Sequence, residues 1–162
     1  MIRRYLAAFG PASVKDIQAW SGLRALQEVV ESMHLRTFRS PKGDTLYDLP
    51  RARLPHPDTP VPPRFLPDYD NALLAHADRT RIFDVKGRAT PPIGKPSFLV
   101  DGFVQGTWKI VRQKTKATVT LTPFGRLSKK DVSALTAEGA RLLTFAAPDA
   151  AAHDVRVARG SK

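Results

Sequence analysis

The sequence predicts an α+β fold in consecutive parts, and three observations predict it. Apolar residues at helical spacing occupy residues 2–33. Prolines then crowd the chain after residue 50. Beyond residue 96, β-branched and aromatic residues alternate around an Asp-Gly dipeptide, the pattern of a sheet built from a tight hairpin. The expected organisation is a helical and hairpin domain over residues 1–50, a proline-rich linker over residues 51–67, and an antiparallel β unit with a C-terminal helix over residues 68–162.

The first helix follows from Ile2, Tyr5, Leu6 and Phe9, which share one face, and Gly10-Pro11 stops it. Ser13-Val14-Lys15-Asp16 then has the form of a capping box, in which the serine hydroxyl accepts a first-turn amide. A second helix starts there with Val14, Ile17 and Trp20 inward, and Ser21-Gly22 interrupts it. A third is expected from about Leu23 to Met33, burying Leu26, Val29, Val30 and Met33. Two runs, one through Leu35, Thr37 and Phe38 and one through Leu46, Tyr47 and Leu49, flank Ser40-Pro41-Lys42-Gly43-Asp44. Proline, glycine and aspartate favour a turn there, so the runs read as a hairpin. Three helices followed by such a hairpin make a winged helix.

In that arrangement the third helix is the one offered to the major groove. Arg24 and Gln27 carry the donors for base edges or phosphates, whereas Glu28 and Glu31 repel phosphate. The helix therefore reads either as the DNA reader or as a structural member of a larger assembly. Arg36, Arg39 and Lys42 lie on or beside the wing, where they reach phosphates or simply keep the hairpin solvated.

Between Pro50 and Pro67, seven prolines in eighteen residues remove amide donors and fix backbone angles. An extended connector is the expectation. Asp70 or Asn71 can then cap a short helix through Ala77, with Phe65, Leu66, Tyr69, Leu73, Leu74 and Ile82 as apolar anchors. Asp70, Asn71, His76, Asp78 and Arg79 make this segment dense in polar groups of the kind used by catalytic or metal sites. It has neither an H-E-x-x-H motif nor a His pair at i, i+4, so helix caps and Asp–Arg pairs are the reading, with no metal, no other cofactor and no catalytic residue assigned.

Asp101-Gly102 sits between strands expected at Ser97 to Val100 and Phe103 to Arg112, because its turn requires positive φ. Residues 117–124 alternate and add a third strand. Lys109, Arg112, Lys114 and Lys116 gather around the turn between the second and third strands. Positive charge there suits phosphate contacts, and lysine at a sheet edge equally discourages strand addition. Ser128-Lys129-Lys130-Asp131 repeats the capping pattern and opens a helix with Val132, Leu135, Leu142, Leu143 and Phe145 as its apolar residues. A last short strand is expected at Asp154 to Val157.

Twenty-six Lys and Arg against fifteen Asp and Glu give a net charge of +11, which attracts polyanions. Residues 1–50 hold seven basic and five acidic groups, so +2 of the excess lies there and +9 lies beyond it. The absence of cysteine excludes disulfides, thiolate catalysis and cysteine-based zinc sites, and is compatible with a reducing cytoplasm. No apolar run is long enough for a membrane span. A cytoplasmic, nucleoid-associated protein is expected.

Three stretches in order, RRYLAAFGPASVKDIQAWSGL, FLPDYDNALLAHADRTRI and FLVDGFVQGTWK, resemble the bacterial winged-helix DNA-binding-domain family that includes AlkZ-like DNA glycosylases, which excise alkylated or crosslinked bases. The resemblance runs through nearly the whole chain. Family members are longer, with tandem winged helices and a β-rich region around a basic concave surface, and this chain looks like their C-terminal part. The resemblance implies double-stranded DNA as the partner. It also implies a Gln-x-Gln or Gln-x-Asp element for positioning the hydrolytic water, and the sequence contains neither; Gln18-Ala19-Trp20 shares only the first residue. Sequence thus points to DNA binding through phosphate contacts with weak sequence specificity. The alternatives are a glycosylase in its own right, and a fragment that self-associates or pairs with an upstream winged helix.

Overall fold

The structure is a computed structural model that describes residues 1–84 and 93–158. The chain divides into two compact units, Met1–Thr59 with Asn71–Arg79, and Pro60–Asp70 with Thr80–Lys162.

In the first unit, helix α1 (Ile2–Phe9) buries Ile2, Tyr5 and Leu6, and Phe9 packs partly against the same core. Helix α2 (Val14–Ser21) starts at the expected capping box: Asp16 N donates to Ser13 Oγ at 3.2 Å, and Ser13 N donates to Asp16 Oδ2 at 2.8 Å. Gly22 ends it in the left-handed conformation, φ 71°, which glycine adopts without steric cost. Val14 and Ile17 are buried, whereas Trp20 keeps its rim in solvent while its ring meets Tyr5 and Phe9 at 5.3 and 6.2 Å.

Helix α3 spans only Gln27–Glu31, shorter than the predicted Leu23 to Met33. Ala25 has φ 56°, which no helix continues through, and the amide of Leu26 is taken by Gln18 Oε1 at 3.0 Å. A side chain eight residues back therefore sets the start of the helix. Leu26 and Val30 are buried and Met33 partly so, but Val29, expected inside, faces solvent.

Strands β1 (Arg36–Arg39) and β2 (Thr45–Asp48) pair antiparallel in the expected hairpin. Ala12 bridges β2 as an isolated antiparallel partner, exchanging both backbone hydrogen bonds with Tyr47 at 2.9 and 2.7 Å. Three helices and a hairpin joined in this way form a winged-helix-like unit. Its core consists of Ile2, Tyr5, Leu6, Ala12, Val14, Ile17, Leu26, Val30 and Tyr47.

Residues 71–79 complete the unit. Helix α4 covers Asn71–Leu74 and stops short of the predicted Ala77, because the following backbone is committed elsewhere. Ala75 O accepts Tyr5 Oη–H at 2.6 Å, Ala77 N donates to Asp16 Oδ1 at 2.8 Å, and His76 Nε2 lies 3.0 Å from Phe9 O.

The second unit is a five-stranded sheet in the order β3-β4-β5-β6-β7, backed by helix α5 (Lys129–Ala146). Strand β3 (Arg64–Leu66) arises inside the stretch expected to be extended linker, where Pro63 and Pro67 bracket three residues that retain their amides and pair with β4 (Ser97–Val100). Asp101 and Gly102, at φ 50° and 80°, turn β4 into β5 (Phe103–Gln113). Strand β6 (Lys116–Pro123) follows antiparallel.

Strand β7 (Ala152–Val157) corrects the expectation of an antiparallel sheet, because it runs parallel to β6. Parallel neighbours need a crossover longer than a hairpin turn, and α5 is that crossover. Phe98, Ala117, Val119, Leu121, Leu135, Leu143 and Ala147 form the core between sheet and helix. Trp108 packs at its border and donates Nε1–H to Leu66 O at 3.0 Å and Ser97 O at 3.1 Å. Phe145, expected among the apolar anchors of α5, is instead 85% exposed at the helix end.

Candidate nucleic-acid interface

The shortened α3 changes the surface expected to read bases. Arg24 lies in the loop ahead of the helix and is exposed. Gln27 is exposed at the first helical position, but its amide donates to Glu31 Oε1 one turn on. Glu28 and Glu31 are also exposed. A five-residue helix with two solvent-facing carboxylates is a poor insertion element, since each repels phosphate at the groove edge.

The wing residues are exposed and held by local contacts. Arg36 stacks its guanidinium over the Phe38 ring at 4.6 Å, and Arg39 Nη1 donates to Gly43 O at 2.9 Å across the turn. Lys42 pairs with Asp78 at 2.6 Å. Stacking and a carbonyl contact leave the charge of both arginines uncancelled, so they remain available to a polyanion.

Around the β5–β6 hairpin the four predicted cations separate into two kinds. Arg112 Nη1 bonds both oxygens of Asp149 at 3.0 Å and its Nη2 donates to Ala146 O at 2.6 Å. Lys116 pairs with Asp154 at 2.9 Å. Those two cations fasten the hairpin to the end of α5 and to β7. Lys109 and Lys114 are exposed, and neither has an ion pair among the described residues. Lys114 occupies the turn at φ 51°, a conformation that disfavours a side chain.

Both carboxylates that hold the hairpin are shifted. A backbone hydrogen bond first, and then the Arg112 guanidinium, keep the Asp149 carboxyl below its ordinary value. Lys116 first and Arg156 second do the same to Asp154, whose Oδ2 also accepts Arg156 Nε at 2.9 Å.

Asn71, His76, Asp78 and Arg79 belong to the first unit and Asp70 to the second. Within the first unit, His76 and Asp78 already bind Phe9 O and Lys42. Among the described residues no group of three or more His, Asp or Glu side chains is placed to hold a metal ion. Likewise none of the described helices is long and apolar enough to cross a membrane.

Two groups have roles that local sequence does not announce. Asp16 has the form of a cap in the sequence, yet it is buried and joins α2 to residue 77. Arg156 lies in the terminal strand, and the basic and β-branched alternation of Val155-Arg156-Val157 is the available sign that it faces outward.

Residues 1–145 match the DNA glycosylase AlkZ-like family. The chain belongs to that family. Among solved structures the chain is similar to the Streptomyces sahachiroi DNA glycosylase AlkZ, with a TM-score of 0.63 and 23% identity. The similarity covers 97% of this chain and 44% of that one, so this AlkZ-like chain spans less than half the length of the solved protein. The likeness runs through nearly the whole of this chain and establishes a shared fold. Among curated proteins no match was found.

Proposed function

We propose that this AlkZ-like chain works in base excision, where its part is to hold duplex DNA through phosphate contacts. The observation that carries the reading is the family match over residues 1–145, taken with a net charge of +11 that includes Lys109 and Lys114, exposed and without an ion pair among the described residues. Phosphate-directed cations position a duplex without reading its sequence, and they make binding salt-dependent. The wing residues Arg36 and Arg39 support the same reading from the first unit, and the carboxylates of α3 argue for weak sequence specificity. The similarity to a longer glycosylase covers 97% of this chain and 44% of that one, so the chain supplies only a share of what the longer protein contains.

Excision itself needs a base taken out of the stack and a group that positions water. This chain has no Gln-x-Gln or Gln-x-Asp element, and His76 and Asp78 serve contacts inside their own unit. A second reading, that the chain itself excises alkylated or crosslinked bases, draws on the extent of the family match.

One experiment separates the two. The chain is incubated with a duplex carrying an N7-alkylated guanine, and both complex formation and abasic-site release are followed. Complex formation without release is the expected result. Release above the uncatalysed rate supports the second reading, and failure to form a complex at low salt contradicts both.

A further inference from the structure

We propose that the face of strands β5, β6 and β7 turned away from α5 is a docking surface for one sugar-phosphate strand. Lys109, Thr118, Thr120 and Arg156 make the contacts. The inference rests on the DNA-binding reading above and gives it a particular surface.

Strand alternation defines the face. Trp108, Ile110, Ala117, Val119, Leu121 and Val155 pack with the core under α5. Their neighbours in sequence therefore point to the other side. Register then aligns them: Lys109 pairs with Thr120, and Thr120 with Arg156, so a lysine, a hydroxyl and an arginine form one cross-strand row. The adjacent row runs Val111, Thr118 and Asp154, and the next begins with Gln113 and Lys116.

Three features favour a polyanion on this face. Lys109, Lys116 and Arg156 stand against the single carboxylate Asp154, which lies 2.9 Å from both Lys116 and Arg156 and holds them side by side. Secondly, the threonines keep their donors available. On α5, Thr136 and Thr144 return their hydroxyls to the carbonyls of Val132 and Ala140, but Thr118 and Thr120 make no such bond among the described residues. Thirdly, Val111 is the one large exposed hydrophobic of these rows, which leaves little apolar area for a protein partner. Hydroxyls and cations in register match phosphate oxygens, which accept from both.

The test uses the full chain and a plain duplex over a salt series. Arg156→Ala is expected to weaken binding about tenfold and to flatten the slope of log K against log salt by about one. Thr118→Val with Thr120→Val keeps shape and removes donors, so it is expected to weaken binding about fivefold with the slope unchanged. Lys130→Ala, on the opposite side of the sheet, is expected to bind as the parent does. Matching thermal midpoints establish that every variant is folded. If the parent binds with a steep slope and the Arg156 and threonine variants bind equally well, the face is not used and the inference falls while the DNA-binding reading stands. If the parent does not bind, both fall. If the same substitutions instead break a dimer seen by light scattering, the face belongs to a second copy of the chain, and the inference is overturned.

Discussion

At the scale of single residues, Asp16 shows how one side chain serves two elements. It is 3% exposed, accepts from Ser13 N and Ser13 Oγ at 2.8 Å each, and accepts from Ala77 N at 2.8 Å. Replacement by alanine leaves a cap lost and a backbone donor unsatisfied, so Asp16→Ala is expected to cost about 2–3 kcal/mol in urea denaturation. The capping half of this role is legible in Ser13-Val14-Lys15-Asp16 because it is local. The bond to residue 77 is not, because nothing in the sequence near either end announces a partner sixty-one residues away. Gly106 is a second single-residue case. A Cβ there would sit 2.4 Å from the Phe98 ring and 2.5 Å from Thr122 O, and the latter is backbone that cannot turn aside. Gly106→Ala is therefore expected to lower stability by about 1–3 kcal/mol, read by thermal melting.

At the scale of elements, the two hairpins of the sheet were equally visible in sequence but differ in what their turns are for. Asp101-Gly102 is the pair that a positive-φ turn favours, whereas the β5–β6 turn places Lys114 at φ 51°. Lys114→Gly is expected to raise the thermal midpoint, since it relieves about 1 kcal/mol of strain, and to weaken duplex binding at the same time. Gain of stability with unchanged binding would show that the lysine has no part in the contact. The fastening of this hairpin by Asp149 and Asp154 was hidden, because Arg112 finds its partner thirty-seven residues later. Both carboxyls have lowered pKa values in the folded chain, so their contribution is present above the ordinary carboxylate value of about 3.9 and is lost as pH falls through the folded value. Asp154→Asn is expected to lower the melting temperature at about pH 6, and its difference from the parent should narrow as the pH falls below the ordinary carboxylate value of about 3.9. The parallel placement of β7 was hidden for a related reason. Strand character is written in local alternation, but direction depends on how a long helix returns the chain.

At the scale of the whole molecule, charge was the most legible property and its use the least. The excess of cations follows from counting, yet the count does not reveal that Arg112 and Lys116 are spent on holding strands while Lys109 and Lys114 are not. The third helix is shorter than its apolar pattern implies for a comparable reason, since Gln18 and the left-handed Ala25 decide where it begins. The measurement that tests the central claim most directly is duplex affinity across a salt series for the parent chain and for a Lys109→Ala, Lys114→Ala double variant. The account predicts a steep slope for the parent that becomes shallower by about two in the variant, with the melting temperature preserved. A variant that binds with the parent's slope and affinity would contradict it, because the two unpaired cations of the hairpin would then make no phosphate contact.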